Sequence, residues 1–107
     1  MSTLVPSGVD VYRTGNVVVL HEHGRALLGI IEEANPNGSL AMVFADGMMA
    51  CGFFGPGLRH RNPLATANIP ETHSTARVIL APERARRTRA ALRAAGVRYS
   101  QRGEEIR

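Results

Sequence analysis

From Val9 to Phe54 the apolar and polar positions alternate in short runs broken by turn residues, the signature of antiparallel strands rather than helices. Val9-Asp-Val-Tyr12 alternates, Asn16–His21 is rich in β-branched residues, and His23-Gly24 breaks the pattern before Ala26–Glu33. Asn35-Pro-Asn-Gly38 is a turn: proline presets the first corner and Asn-Gly accepts positive φ. Ser39–Ala45 and Met48–Phe54 then read as two strands joined at Asp46-Gly47, a strong signal for a two-residue type I′ hairpin. Sequential strands usually pair, so a meander of about four strands is the economical arrangement.

Beyond Gly55-Pro-Gly57 the pattern changes. Residues 55–75 show no period and predict a long irregular loop, of the kind that lines a site or moves. Arg77–Leu80 resumes as a strand, and Pro82 opens a helix to about Ala95, with Ala85, Thr88, Leu92 and Ala95 on one stripe. Gly96 is placed to stop that helix in the left-handed conformation, and Val97–Gln101 predicts a last strand. The expectation is a single α+β domain over 1–107: an antiparallel meander, then a C-terminal β-α-β unit, with residues 1–8 a flexible N-terminus and 102–107 a mobile tail.

Length and composition agree with one aliphatic core. The 107 residues are 44% hydrophobic, with no Trp, three Phe and two Tyr. No run reaches the roughly 18 apolar residues of a membrane span, and the opening Met-Ser-Thr-Leu-Val-Pro lacks the features of a signal peptide, so no membrane partner is expected. Together with a single cysteine, Cys51, this predicts a cytoplasmic protein. The net charge of +4 is uneven: residues 77–107 hold nine Arg against three acids, and residues 1–76 four Arg against six acids. All thirteen basic residues are Arg, a usage that a GC-rich coding bias would also produce.

Ser39-Leu-Ala-Met-Val-Phe-Ala-Asp-Gly-Met-Met-Ala-Cys-Gly52 resembles the strand, Gly-bearing turn and Cys-Gly strand end of the YunC-like family, small bacterial and archaeal proteins of unassigned function. Ala95-Gly-Val-Arg-Tyr-Ser-Gln-Arg-Gly-Glu-Glu105 is similar to that family's C-terminal segment. The two stretches cover about a quarter of the chain and keep their order. Met48 stands where the family tends to place an aromatic residue, and the family's middle Gly-Val segment has no counterpart around Arg59–Ser74. The resemblance implies a fold and one candidate residue, Cys51, but no reaction.

Three groups of residues could carry chemistry. Cys51 could act as a nucleophile if Arg59, His60 or Arg61 came close enough to favour its thiolate, with His60 as acid or base and Gly52, Arg59 and Arg61 binding an anionic small molecule. Against this, Met49, Cys51 and Phe53 share a strand face, which directs the thiol toward a core or an interface. His21 and His23 would share a face of a continuous strand, the start of a metal clamp, but the remaining ligands would have to come from His60, His73, Glu22 or Cys51 without local spacing. Arg84, Arg86, Arg87, Arg89 and Arg93 on one helix could face nucleic acid or another polyanion, although the helix adds no aromatic residue and a solvated face explains it as well. No phosphate loop or dinucleotide fingerprint occurs, and no cofactor is implied. The expected function is binding or conversion of a small anionic ligand near Cys51-Gly52 and the Arg59–Arg61 loop. A nucleic-acid module and a homo-oligomeric accessory protein with paired sheet edges stand as alternatives.

Overall fold

The computed structural model describes residues 11–61 and 69–106. The flexible start expected at 1–8, the first residues of the strand expected at Val9, and part of the 55–75 loop lie outside the described residues. Six strands and one helix follow in the order β1 (Val17–Glu22), β2 (Arg25–Ala34), β3 (Leu40–Phe44), β4 (Met48–Gly52), β5 (Leu58–His60), β6 (Arg77–Leu80) and α1 (Pro82–Ala94). They form one antiparallel sheet ordered β5-β1-β2-β3-β4-β6. The α+β class and the meander hold, but the strand count is six, and β5 arises inside the segment expected to be irregular.

The hairpin turns differ from their sequence signatures. His23-Gly24, expected only as a break, is the two-residue turn with positive φ at both positions, 55° and 73°, closing the Glu22↔Arg25 register. At Asp46-Gly47 only Gly47 has positive φ. Its N–H donates to the Phe44 carbonyl at 3.1 Å, giving a three-residue loop with a glycine bulge in place of a type I′ turn. The Asp46 carboxylate accepts the Met48 N–H at 3.0 Å, a local bond that suits a negative-φ aspartate just before the bulge.

Both faces of the sheet are buried. On one, Val18, Leu20, Ile31, Met42, Phe44 and Leu58 form an apolar cluster that Tyr12, Phe54 and Ala76 cover without any helix. On the other, α1 packs across β3 and β4, placing Ala85 against Val43 and Met49, and Leu92 and Val97 against Leu28 and Ala45. Each fully buried side chain such as Leu28, Ile31, Met42 or Leu92 contributes about 1.5–3 kcal/mol of transfer free energy. Ala85, Thr88 and Leu92 are buried as the helical stripe requires, whereas Ala95 is exposed at the cap. Gly96, at φ 77°, ends the helix in a Schellman motif: its N–H bonds to the Arg93 carbonyl at 3.0 Å and that of Val97 to the Leu92 carbonyl at 2.9 Å.

The expected C-terminal β-α-β unit does not form. Residues 98–106 fold back on themselves instead, through the Tyr99↔Glu105 bridge, the Ser100 N–H to the Glu104 carbonyl at 2.7 Å, and the Ile106 N–H to the Arg98 carbonyl at 2.9 Å. The physical reason lies in β2. It has 10 residues and β3 has 5, and their register begins at Gly29↔Phe44, so the first residues of β2 have no β3 partner. The returning chain takes that place: Glu104 bridges Leu27 antiparallel, and the Leu28 N–H donates to the Gly103 carbonyl at 2.8 Å. Residues 102–106, expected as a mobile tail, are further tied by Arg25 Nη2 to the Arg102 carbonyl at 2.7 Å and by Arg61, whose Nε and Nη2 both donate to Glu105 Oε2, at 3.0 and 2.6 Å.

Only 10% of the Glu105 side chain and 27% of that of Arg61 is exposed, so this is a partly desolvated ion pair rather than a surface one. Glu105→Ala should lower unfolding free energy by roughly 1–3 kcal/mol in urea titration, by stranding the guanidinium and freeing the terminal hairpin. A loss below about 0.5 kcal/mol would show that the pair does not hold that segment down.

Candidate functional site

The terminal hairpin leaves a groove where it meets the end of α1. Ala45, Asp46, Arg89, Arg93, Tyr99, Ser100 and Gln101 line it, and its volume is about 350 Å³. Arg89 and Arg93 lie one helical turn apart, flanking the buried stripe formed by Thr88 and Leu92, which aims both toward the hairpin. Each guanidinium is steadied by a neutral acceptor: Arg89 Nη1 donates to the Ala45 carbonyl at 2.9 Å, and Arg93 Nη1 to the Tyr99 hydroxyl at 3.0 Å. Neither has a carboxylate partner among the described residues. A guanidinium carries five N–H donors, so most of each fork remains available.

Asp46 is the acidic member of the lining. One of its oxygens accepts the Met48 N–H and the other lies 3.9 Å from Arg25 Nη2, with the side chain 13% exposed, so its charge is already engaged. The arrangement is suited to binding: two positioned cations, hydroxyls from Tyr99 and Ser100, and an amide from Gln101. Tyr99, with Ser100 and Gln101 beside it, is what sequence reasoning missed. It was legible only as part of a strand, because its approach to Arg93 follows from how the terminal hairpin docks.

The other residues singled out from the sequence are scattered. Cys51 is exposed at the end of β4, where it opposes Arg77 of β6; its strand neighbour Met49 is covered by α1 and Ala81, but α1 begins only at Pro82 and does not extend over the thiol. Of the two expectations for the thiol, a core or an interface, the core is therefore corrected. Three strands, β1, β2 and β3, separate β4 from β5, which carries Arg59 and His60. His60 stacks on Tyr12 with ring centroids 4.7 Å apart and its Nε2 lies 3.1 Å from the Val11 carbonyl. Arg59 projects from the opposite face of the same strand, and Arg61 is committed to Glu105.

Gly52 gives no open approach for a ligand, since a Cβ there would meet the Ala76 Cα at 2.8 Å and the Thr75 carbonyl at 3.0 Å. Here the chain entering β6 runs antiparallel beside the end of β4, with Thr75 N–H bonded to the Phe53 carbonyl at 3.1 Å. His21 and His23 do not share a continuous strand, because His23 sits in the positive-φ turn with its Nε2 3.8 Å from Glu22 Oε1. Among the described residues no three His, Cys, Asp or Glu side chains gather where they could hold a metal ion, and no helix is long and apolar enough to cross a membrane. Within the arginine row, Arg84 Nη1 is 3.3 Å from Glu32 Oε1 and Arg86 Nη1 is 3.7 Å from Glu83 Oε1, while Arg87 is exposed. The partner of Arg84 is the bulged residue of β2, between the Ile31↔Met42 and Glu33↔Ala41 pairs.

Compared with protein-family models, with curated proteins and with solved structures, the chain matches none. The resemblance to the YunC-like family thus rests on its two sequence stretches alone.

Two measurements check these placements. Cys51 in the folded protein should react with a small aromatic disulfide within about tenfold of its rate in denaturant, because it is exposed; a strongly protected thiol would contradict its position. Gly52→Ala should cost about 1–3 kcal/mol of stability through overlap with the Thr75-Ala76 backbone, whereas Cys51→Ser should stay within about 0.5 kcal/mol of the parent.

Proposed function

We propose that this protein binds a small anionic ligand in the groove between α1 and the terminal hairpin, with Arg89 and Arg93 as the anion-holding residues and Tyr99, Ser100 and Gln101 completing the site. The observation that carries this reading is the pair of guanidiniums, aligned at one-turn spacing, each anchored by a single neutral acceptor and free of carboxylates among the described residues. Such forks match the two oxygens of a carboxylate or phosphate, and charge-assisted bonds of this kind are about twice as strong as neutral ones. The class of ligand is that expected from the sequence, but the supporting geometry lies at Arg89 and Arg93 rather than at Cys51 and Arg59–Arg61.

The reading of α1 as a nucleic-acid face has less support. Arg84 and Arg86 are partnered by Glu32 and Glu83, which shortens the unpaired row to Arg87, Arg89 and Arg93. A concave site of about 350 Å³ also suits a small molecule better than a duplex backbone.

Calorimetric titration with inorganic phosphate, pyrophosphate and citrate at fixed ionic strength tests the proposal. At least one of the three should bind with one-to-one stoichiometry, and Arg93→Gln should weaken it by about tenfold or more, equivalent to about 1.4 kcal/mol. Arg87→Gln, on the exposed side of the helix, should leave the affinity within about twofold. Equal losses from both variants, or binding that vanishes at physiological salt, would reject a defined site.

A further inference from the structure

β6 is an outer strand of the sheet, and among the described residues only its shortness and the charge of Arg77 blunt that edge. All four residues are exposed, with Val78 at 53%, Ile79 at 46% and Leu80 at 70%, and the strand contains no proline, no lysine and no bulge. The hydrogen-bond phase of β6 tells which backbone groups are free. Thr75 N–H bonds to the Phe53 carbonyl and Ala81 N–H to the Gly47 carbonyl, so the odd-numbered residues face β4. The N–H and carbonyl groups of Ala76, Val78 and Leu80 therefore point outward, and none has a partner among the described residues.

We propose that this edge is a self-complementary interface that joins two copies of the chain, β6 against β6, into one continuous antiparallel sheet. Antiparallel pairing through the outward groups admits a two-fold axis at Val78, with Val78 opposite the partner's Val78 and Ala76 opposite the partner's Leu80. Each such pair exchanges both backbone bonds. Pro82 selects this register: shifting the pairing by one step toward the helix would call on a proline N–H that does not exist. On the α1 side of the sheet the pairing sets Arg77 opposite the partner's Ile79 and directs it toward the partner's first helical turn. Glu83 in that turn is 82% exposed and has only the loose, exposed Arg86 contact at 3.7 Å, and Arg77 has no acidic partner among the described residues, so the charges complement each other across the axis.

The apolar surface available on one four-residue strand is smaller than the roughly 800 Å² per partner of a standard interface, so the dimer is reversible rather than obligate. A second copy fits this edge better than an unrelated strand, because the same short segment supplies both halves of the ladder, the register stop and the charge match.

Sedimentation velocity of the full chain between about 1 and 200 µM should show a monomer–dimer equilibrium. Leu80→Lys, at the most exposed position of β6, and Val78→Pro, which removes only an outward N–H, should each weaken association at least tenfold while circular dichroism stays that of the parent. In a Cys51→Ser background, Val78→Cys should be captured as a disulfide dimer by copper-phenanthroline oxidation. Ile79→Cys should lag at least tenfold, since the two-fold offsets its Cα from the partner's beyond the roughly 7 Å that a disulfide spans. A monomer at every concentration, a dimer indifferent to both β6 variants, or cross-linking at Ile79 as fast as at Val78 would overturn the proposal. So would a monomer that takes up a foreign strand at this edge.

Discussion

The rest of the structure depends on the mismatch in length between β2 and β3. A ten-residue strand beside a five-residue one leaves backbone groups around Leu28 that must find partners or lose stability. The chain meets this demand from two directions. The Ala45 N–H, at the departing end of β3, donates to the Leu28 carbonyl at 3.0 Å, and the Gly103 carbonyl accepts the Leu28 N–H at 2.8 Å. Gly103 can reach that position because it has no Cβ, which would otherwise lie 2.9 Å from the Asp46 nitrogen. Once the returning hairpin is placed, Tyr99 and Ser100 stand beside the last turns of α1, and the groove follows.

The same demand explains which expectations from sequence held and which did not. β1 to β4 were legible because each is a run of β-branched or alternating residues between turn signals, and these are local properties. Helix α1 was legible for the same reason, through Pro82, the stripe of Ala85, Thr88 and Leu92, and Gly96. The strand expected at Val97–Gln101 and the mobile tail expected at 102–107 were misread, because the fold-back of this segment is decided by a vacancy on β2 some seventy residues earlier. β5 has three residues, too few for any period to show, and is defined by Val18↔His60 and its neighbours rather than by its own composition.

The site was the least legible part. An abundance of arginine is visible in the sequence, but its distribution into neutralised and unneutralised members is not. Glu32 reaches Arg84 from a bulge that no pattern announced, and Glu105 captures Arg61 from the other end of the chain. What remains unpaired near a concavity, Arg89 and Arg93, is thus a residue of subtraction, fixed by tertiary contacts. Cys51 and Gly52 drew attention by type, yet their surroundings are those of an antiparallel strand pair, with the backbone of Thr75 and Ala76 pressed against the glycine.

The seam between Leu27-Leu28 and Gly103-Glu104 also makes completion of the sheet a long-range matter. α1 packs on β3 and β4 across shorter sequence separations than those that span this seam. Without the seam the start of β2 lacks its hydrogen-bond partners. The contacts that close the seam are among the longest in sequence separation, joining Arg25 to Arg102 across 77 positions. The groove therefore depends on the contacts of longest range: loosening the Leu27–Glu104 seam would open it while most of the sheet stayed paired.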